Sequence, residues 1–259
     1  MKRYLSLFLV MTCILTLCAA FSPAASAENA AVIGYSADRV VKKDGLDALP
    51  DIKSGLADGQ TEYKVTDADG IEKMAHIANG TNGETKNTFS GITVYMANDI
   101  DMAGVTHEPI GVAVSGNVYG AEVASGDPAY SFRGTFDGQG YAVCNLVADN
   151  SGDVTYKQFG LFGNIAGATL KNLVFDKTCK LTVTGAFSVS FAAAYSYWSG
   201  IFENISVRGT MEKVGATYAG GIVARVYGGG NMLFTNCESF GAMQEMTADH
   251  LGGLIGSCG

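Results

Sequence analysis

The stretches YAVCNLVAD (141–149), ATLKNLVF (168–175), SGIFENISV (199–207) and NMLFTNCESF (231–240) repeat one pattern. Each centres on an asparagine, Asn145, Asn172, Asn204 or Asn236, and these are separated by 27, 32 and 32 residues. Two places before the asparagine stand Val143, Leu170, Phe202 and Phe234; one place after it stand Leu146, Leu173, Ile205 and Cys237. Alternate side chains of a strand face opposite ways, so these two apolar places cannot share a face of an unbroken strand. A bend at the asparagine restores the parity and turns both flanking strands inward.

Working outward, a second motif recurs between these stretches: GLFGN (160–164), GGIVAR (220–225) and GGLIGS (252–257), with SFAA (190–193) in the corresponding place of the middle unit and lacking the glycine. Gly221 and Gly253 are 32 residues apart, the asparagine period again. One unit thus holds a glycine-led apolar strand, an asparagine-centred bent strand and a third strand such as KLTVTG (180–185). A unit of this size cannot bury an apolar face alone and must stack on its neighbours. A propeller of antiparallel blades and a parallel β-helix both use such units. An amide ladder at one corner, running through Asn145, Asn172, Asn204 and Asn236, favours the β-helix, because each amide satisfies the next. The expected fold is therefore all-β, a parallel β-helix with a short helical cap at its N-terminal end.

The first residues read as an address. Lys2 and Arg3 precede an apolar run from Leu5 to Phe21, and Ala25-Ser26-Ala27 suits a signal peptidase, with cleavage after Ala27. Removing residues 1–27 takes those two positive charges and no negative ones, moving the formal net charge from −8 to −10. So acidic a chain excludes nucleic acid and anionic membrane as partners, and no transmembrane segment is expected once the signal is gone. Of the cysteines, Cys144, Cys179, Cys237 and Cys258 remain, without a CxxC or a Cys/His cluster, so neither a metal nor a cofactor is expected. Cys144 and Cys237, three coils apart, would stand about 14 Å from each other along the stack, too far to bridge.

Residues 28–62 read as a leader or linker, 63–88 as the cap, and 89–259 as coils, an open-ended run read as a fragment. Thr66, followed at the third position by Asp69, reads as a helix start; Ile71, Met74, Ile77 and Ala78 form its stripe, and Asn79-Gly80 stops it. The first rungs are expected in ITVYMANDIDM (92–102) and GTFDGQG (134–140). Taken in order, VTDADGIEKMAHIAN (65–79), FSGITVYMANDIDM (89–102), PIG (109–111), FRGTFDGQGYAVCNL (132–146) and GLFGNIAGATLKNLVF (160–175) resemble the GLUG-motif bacterial surface proteins, similar to regions beside IgA-type peptidases and in long Gram-positive wall proteins. The resemblance implies a right-handed β-helix outside the cell. It supplies no catalytic residues.

Polysaccharide-active β-helices need carboxylates converging on one face with arginine, histidine or calcium beside them. Asp99, Asp101, Asp137, Asp149, Asp153 and Asp176, with Arg133, Arg208 and Arg225, are scattered among the coils; only Asp99 and Asp101 share a face where a cation would fit. His76, His107 and His250 lie far apart, and there is no HExxH. Tyr195, Tyr197 and Trp198, joined by Tyr218 and Tyr227 from the following coil, form a candidate glycan-binding strip, since aromatic faces hold sugar rings. The commoner use of such rings is to pack a loop against the wall. The expected role is a non-catalytic extracellular scaffold or adhesin-like module, secreted or at the cell surface, with host or cell-wall glycan or protein as partner. Alternatives are a module of a larger surface peptidase and a glycan-binding or glycan-degrading β-helix.

Overall fold

The computed structural model describes residues 35, 40–120, 129–150, 154–228 and 230–259. The expected signal peptide lies outside them, as does Asp153. Parallel strands pile into a β-helix with five strips, which the chain visits in turn from Ala142 onward. Strip one holds residues 162–166 and 193–197, Val223–Tyr227 and Ile255–Cys258. Strip two is the tallest among the described residues, with six rungs: Glu62–Val65, Thr93–Met96, Thr135–Asp137, 168–171, 200–203 and Met232–Thr235. Strip three runs from Ile100–Asp101 through Ala142–Cys144, 173–175 and 205–207 to Glu238–Ser239. Strip four is Val147–Asp149, Lys180–Thr182 and Thr210–Met211, and strip five is Gln158–Phe159, Thr184–Val189, Gly215–Gly220 and Thr247–Gly252. The expected third strand of each unit is thus two, broken at buried Val183, because the chain must turn a further corner to close the coil. Among the described residues the one antiparallel pair is the hairpin Val114–Ser115 with Val118–Tyr119.

The glycine-led motifs coincide. Phe162, Ala193, Val223 and Ile255 pair in series, so the glycine-free SFAA (190–193) does occupy the same place. Glycine is needed where the turn is tightest: a Cβ on Gly252 would stand 1.8 Å from the Ile255 carbonyl oxygen. Rings stack from rung to rung inside. Phe202 lies parallel to Phe234 with centroids 4.7 Å apart, and Phe162 packs against Phe132 at 4.8 Å. Each fully buried ring contributes roughly 1.5–3 kcal/mol by leaving water.

All four asparagines have left-handed backbone, φ 52° at Asn145, 54° at Asn172, 56° at Asn204 and 52° at Asn236, a conformation that asparagine tolerates better than most residues. This is the bend that the parity required. Their stacking needs a correction. Asn172, Asn204 and Asn236 share one register position between strips two and three, flanked by Lys171↔Glu203, Leu173↔Ile205 and Glu203↔Thr235. Asn145 does not join them. It lies between Val143, which pairs Phe175, and Val147, which pairs Lys180, at the next corner along the coil. The rung neighbouring Asn172 instead turns through Gly138-Gln139-Gly140, with φ 55° at Gln139 and 77° at Gly140. The spacing of 27 residues rather than 32 is too short for a whole coil, and so it carries Asn145 to a different corner.

The cap also differs from expectation. Asp67, not Thr66, caps the helix Ala68–Asn79: the Gly70 N–H donates to Asp67 Oδ1 at 3.1 Å, while the Thr66 hydroxyl donates to Asp51 Oδ2 at 2.7 Å. Ile71, Met74, Ile77 and Ala78 are buried, as their spacing required, and Gly80 (φ 71°) ends the helix. Glu62–Val65 already forms a rung, so the helix follows the first rung rather than preceding it. The edge of that rung is met by Pro50 and Asp51, with Asp51 bridging in parallel to Lys64 and the Lys64 N–H donating to Pro50 O at 2.9 Å. The described part of the leader is no free linker. Ile52 is fully buried, the Lys42 ammonium lies 3.8 Å from the centre of the Tyr141 ring, and Lys43 pairs with Glu62 at 2.8 Å.

Candidate functional site

Strips five and one meet at an outer corner, and their alternation decides what faces it. On strip five Phe159, Val189 and Ala219 enter the core, so Gln158, Ser188, Tyr218 and His250, aligned in register, take the other side. On strip one Asn164, Tyr195, Arg225 and Ser257 are aligned in the same way. The two columns touch across the corner. Gln158 Nε2 donates to Asn164 Oδ1 at 2.9 Å, and two rungs on, the Arg225 guanidinium lies 4.4 Å from the centre of the Tyr218 ring.

Arg225 is the hub. Its guanidinium also lies 4.9 Å from the centre of Tyr227, 5.2 Å from Tyr195 and 5.7 Å from Phe187. Tyr195 stacks on Tyr197 with centroids 4.3 Å apart, and Tyr218 stacks on His250 at 4.8 Å. Tyr195 and Tyr197 are each only 4 % exposed, and burial pushes both phenols above their ordinary range against the opposing pull of the Arg225 charge. Tyr227, by contrast, is 49 % exposed. The structure therefore gathers four of the five expected strip residues, two as packing and Tyr218 and Tyr227 as surface. Trp198 is not with them. With φ 63° it is the corner residue between strips one and two, half exposed, and its ring lies over Arg133 at 5.8 Å. Arg225 was legible in sequence only as one arginine among three. The alignment that would have marked it, Tyr195 against Arg225, appears only once the strips are in register.

The carboxylates serve the backbone and the corners. Asp137 Oδ1 accepts from Asn172 Nδ2 at 2.9 Å and from the Gln139 N–H at 3.0 Å, and Asn204 Nδ2 donates in turn to Asn172 Oδ1 at 3.1 Å. Asp101 Oδ1 accepts from Asn145 Nδ2 at 2.7 Å and from the Ala103 N–H at 3.0 Å. Asp99 Oδ1 accepts from the Ala142 N–H, and Asp176 Oδ1 from the Thr178 N–H. Among the described residues no group of three or more His, Cys, Asp and Glu side chains is placed to hold a metal, Asp99 and Asp101 included. All four described cysteines are free; Cys179 is buried and Cys258 exposed.

One polar cluster was not foreseen. His107, one of the three scattered histidines, is fully buried: Nδ1 faces Glu72 Oε1 at 2.6 Å and Nε2 faces the Leu161 carbonyl at 3.1 Å. Glu108 Oε1 accepts from Asn79 Nδ2 and from the Thr81 hydroxyl, both at 2.7 Å. Asn79 Oδ1 accepts in turn from the Gly111 and Val112 N–H groups. The network pins the helix to the loop that leads to strip one. A cavity of about 430 Å³ opens beside it, lined by Glu72, His76, Glu108 and Tyr119 among others.

With this geometry in place, comparison with known proteins finds one likeness in structure. The chain is similar to a protein from Bacteroides ovatus described as a "putative immunoglobulin A1 protease", with a TM-score of 0.44 and 18 % identity, covering 82 % of this chain and 68 % of that one. At that identity and score the likeness bears on neither activity nor site. No family model matches the chain, and no curated protein does. Among the described residues no helix is long and apolar enough to cross a membrane.

Proposed function

We propose that the chain is an exported, non-catalytic module: a stiff β-helix that holds an outer face in place for binding outside the cell. The observation that carries this reading is the use made of its acidic groups. Asp99, Asp101, Asp137 and Asp176 each accept hydrogen bonds from the chain's own backbone or corner amides, whereas hydrolysis of a glycan needs a pair of carboxylates facing one bond. What faces outward at the strip five and strip one corner is instead an arginine among aromatic rings, a constellation that binds rather than cleaves. The leader sequence and the acidic charge agree with life outside the cytoplasm.

Expression of the full chain in a bacterial host tests this. The exported fraction should contain protein whose N-terminal residue is Glu28, reachable by added protease at the cell surface or free in the medium. Protein retained in the cytoplasm with Met1 intact would end the reading.

A further inference from the structure

The geometry points to a binding site for a carboxylate-bearing sugar at the corner of strips five and one, with Arg225 taking the carboxylate and Tyr227 the face of the ring. Four aromatic rings surround the guanidinium, at 4.4 to 5.7 Å from their centres, and hold it in place. Stacking occupies the faces of a guanidinium and leaves its N–H edge for a planar, two-oxygen acceptor. That edge has no carboxylate within ion-pair distance among the described residues, although the chain carries 25 Asp and Glu and several of its other cations are paired. In a protein of net charge −8, a preorganised arginine with no acidic partner among the described residues is matched to an anion from outside.

The surroundings select which anion. A polyanion would meet one guanidinium and an acidic surface, and would be repelled as a whole. A glycan with sparse carboxylates brings one charge and flat apolar ring faces, and the half-exposed Tyr227 beside Arg225 supplies a face for stacking. His250, exposed and stacked on Tyr218, extends the same wall by one rung for sugar hydroxyls. The inference rests on the reading of the chain as a binding module. Its test, however, uses purified protein, so a leader that is never cleaved counts against that reading alone.

The full chain is titrated with an aldotetraouronic acid (a short neutral xylose chain carrying one glucuronic acid), with the same oligosaccharide after reduction of its carboxyl, with sialyllactose, and with a short poly-glutamate peptide. At least one of the two acidic sugars should bind, and for the aldotetraouronic acid carboxyl reduction should weaken binding about tenfold, as should Arg225→Gln. Arg225→Lys should recover only part of the loss, because it keeps charge without the fork. Tyr227→Ala, at a half-exposed position, should weaken binding several-fold with an unchanged melting curve. That variant, with the salt dependence of the parent, decides the matter if Arg225→Gln does not fold. The proposal is overturned if neither acidic sugar binds, if the reduced and acidic oligosaccharides bind alike, if well-folded Arg225→Gln or Tyr227→Ala binds as the parent does, or if the peptide binds as tightly as the sugar.

Discussion

Asn145 and Asn172 have the same backbone conformation, φ 52° and 54°, and both are followed by Leu-Val, yet they stand at different corners of the β-helix. Asn172 lies in a stack, receiving Asn204 Nδ2 on one side and donating to buried Asp137 on the other. Among the described residues no side-chain amide bonds to that of Asn145. Its side chain donates to exposed Asp101, and its own N–H donates to the Thr178 hydroxyl. Local sequence decides that the chain bends, whereas the length of the coil decides what the bend meets. A ladder is therefore a property of spacing, and an isolated corner must find its partners among acids and hydroxyls nearby.

The difference can be broken first at the stack. Asn172→Ala should cost about 3–4 kcal/mol, from the left-handed backbone and from two lost hydrogen bonds, and Asn172→Gly, which keeps the backbone, about 2 kcal/mol. Urea denaturation of the purified chain measures both. Asn145→Ala should cost about 1–2 kcal/mol from the backbone alone. Its effect should also depend on acid, which sharpens the contrast. The Asn145 amide, and then the Ala103 N–H, hold the Asp101 carboxyl below its usual range. A carboxylate so held stabilises the fold above its unfolded pKa, about 3.9, and the contribution is lost as pH falls through the lower native value. The gap between parent and Asn145→Ala should accordingly narrow below about pH 4. A gap unchanged down to the acid limit of folding would dissociate Asn145 from Asp101.

A smaller effect reads the isolated corner directly. Cys179 follows Thr178, and burial pushes its thiol up to about 12, so at neutral pH it is both shielded and protonated. A thiol reagent should label exposed Cys258 quickly and Cys179 only through opening of the coil. Asn145→Ala should speed labelling of Cys179 by about tenfold for each 1.4 kcal/mol lost at that corner. Asn172→Gly, one strip away, should speed it less. Equal rates for Cys179 and Cys258 in the parent would mean that the corner is not closed.

These contrasts also show how much was legible in the chain itself. The equal 32-residue spacing of Asn172, Asn204 and Asn236, with apolar flanks in matched places, was sufficient for the β-helix and for placing these three at one corner, where Asn204 donates to Asn172. Asn145 misled because its flanks match while its spacing does not, and flanks report only burial. The cap was half legible: an apolar stripe marks a helix, but Thr66 and Asp67 are both good caps and only packing against Asp51 separates them. The candidate site was readable as aromatic residues and not as a site. Residues 30 apart become neighbours only when each coil's length is known, so Tyr195 and Arg225 looked unrelated, and Trp198 looked like a member of a strip when it is the corner residue beyond it.

A double-mutant cycle on the asparagines tests the central claim, that Asn172 and Asn204 stack while Asn145 stands apart. With Asn172→Gly, Asn204→Gly and the pair, the coupling energy from urea denaturation should be about 1 kcal/mol, and the same cycle on Asn145 and Asn172 should give none beyond about 0.3–0.5 kcal/mol. Absent coupling between Asn172 and Asn204, or equal coupling in both cycles, would contradict the register on which the five strips and the outer corner depend.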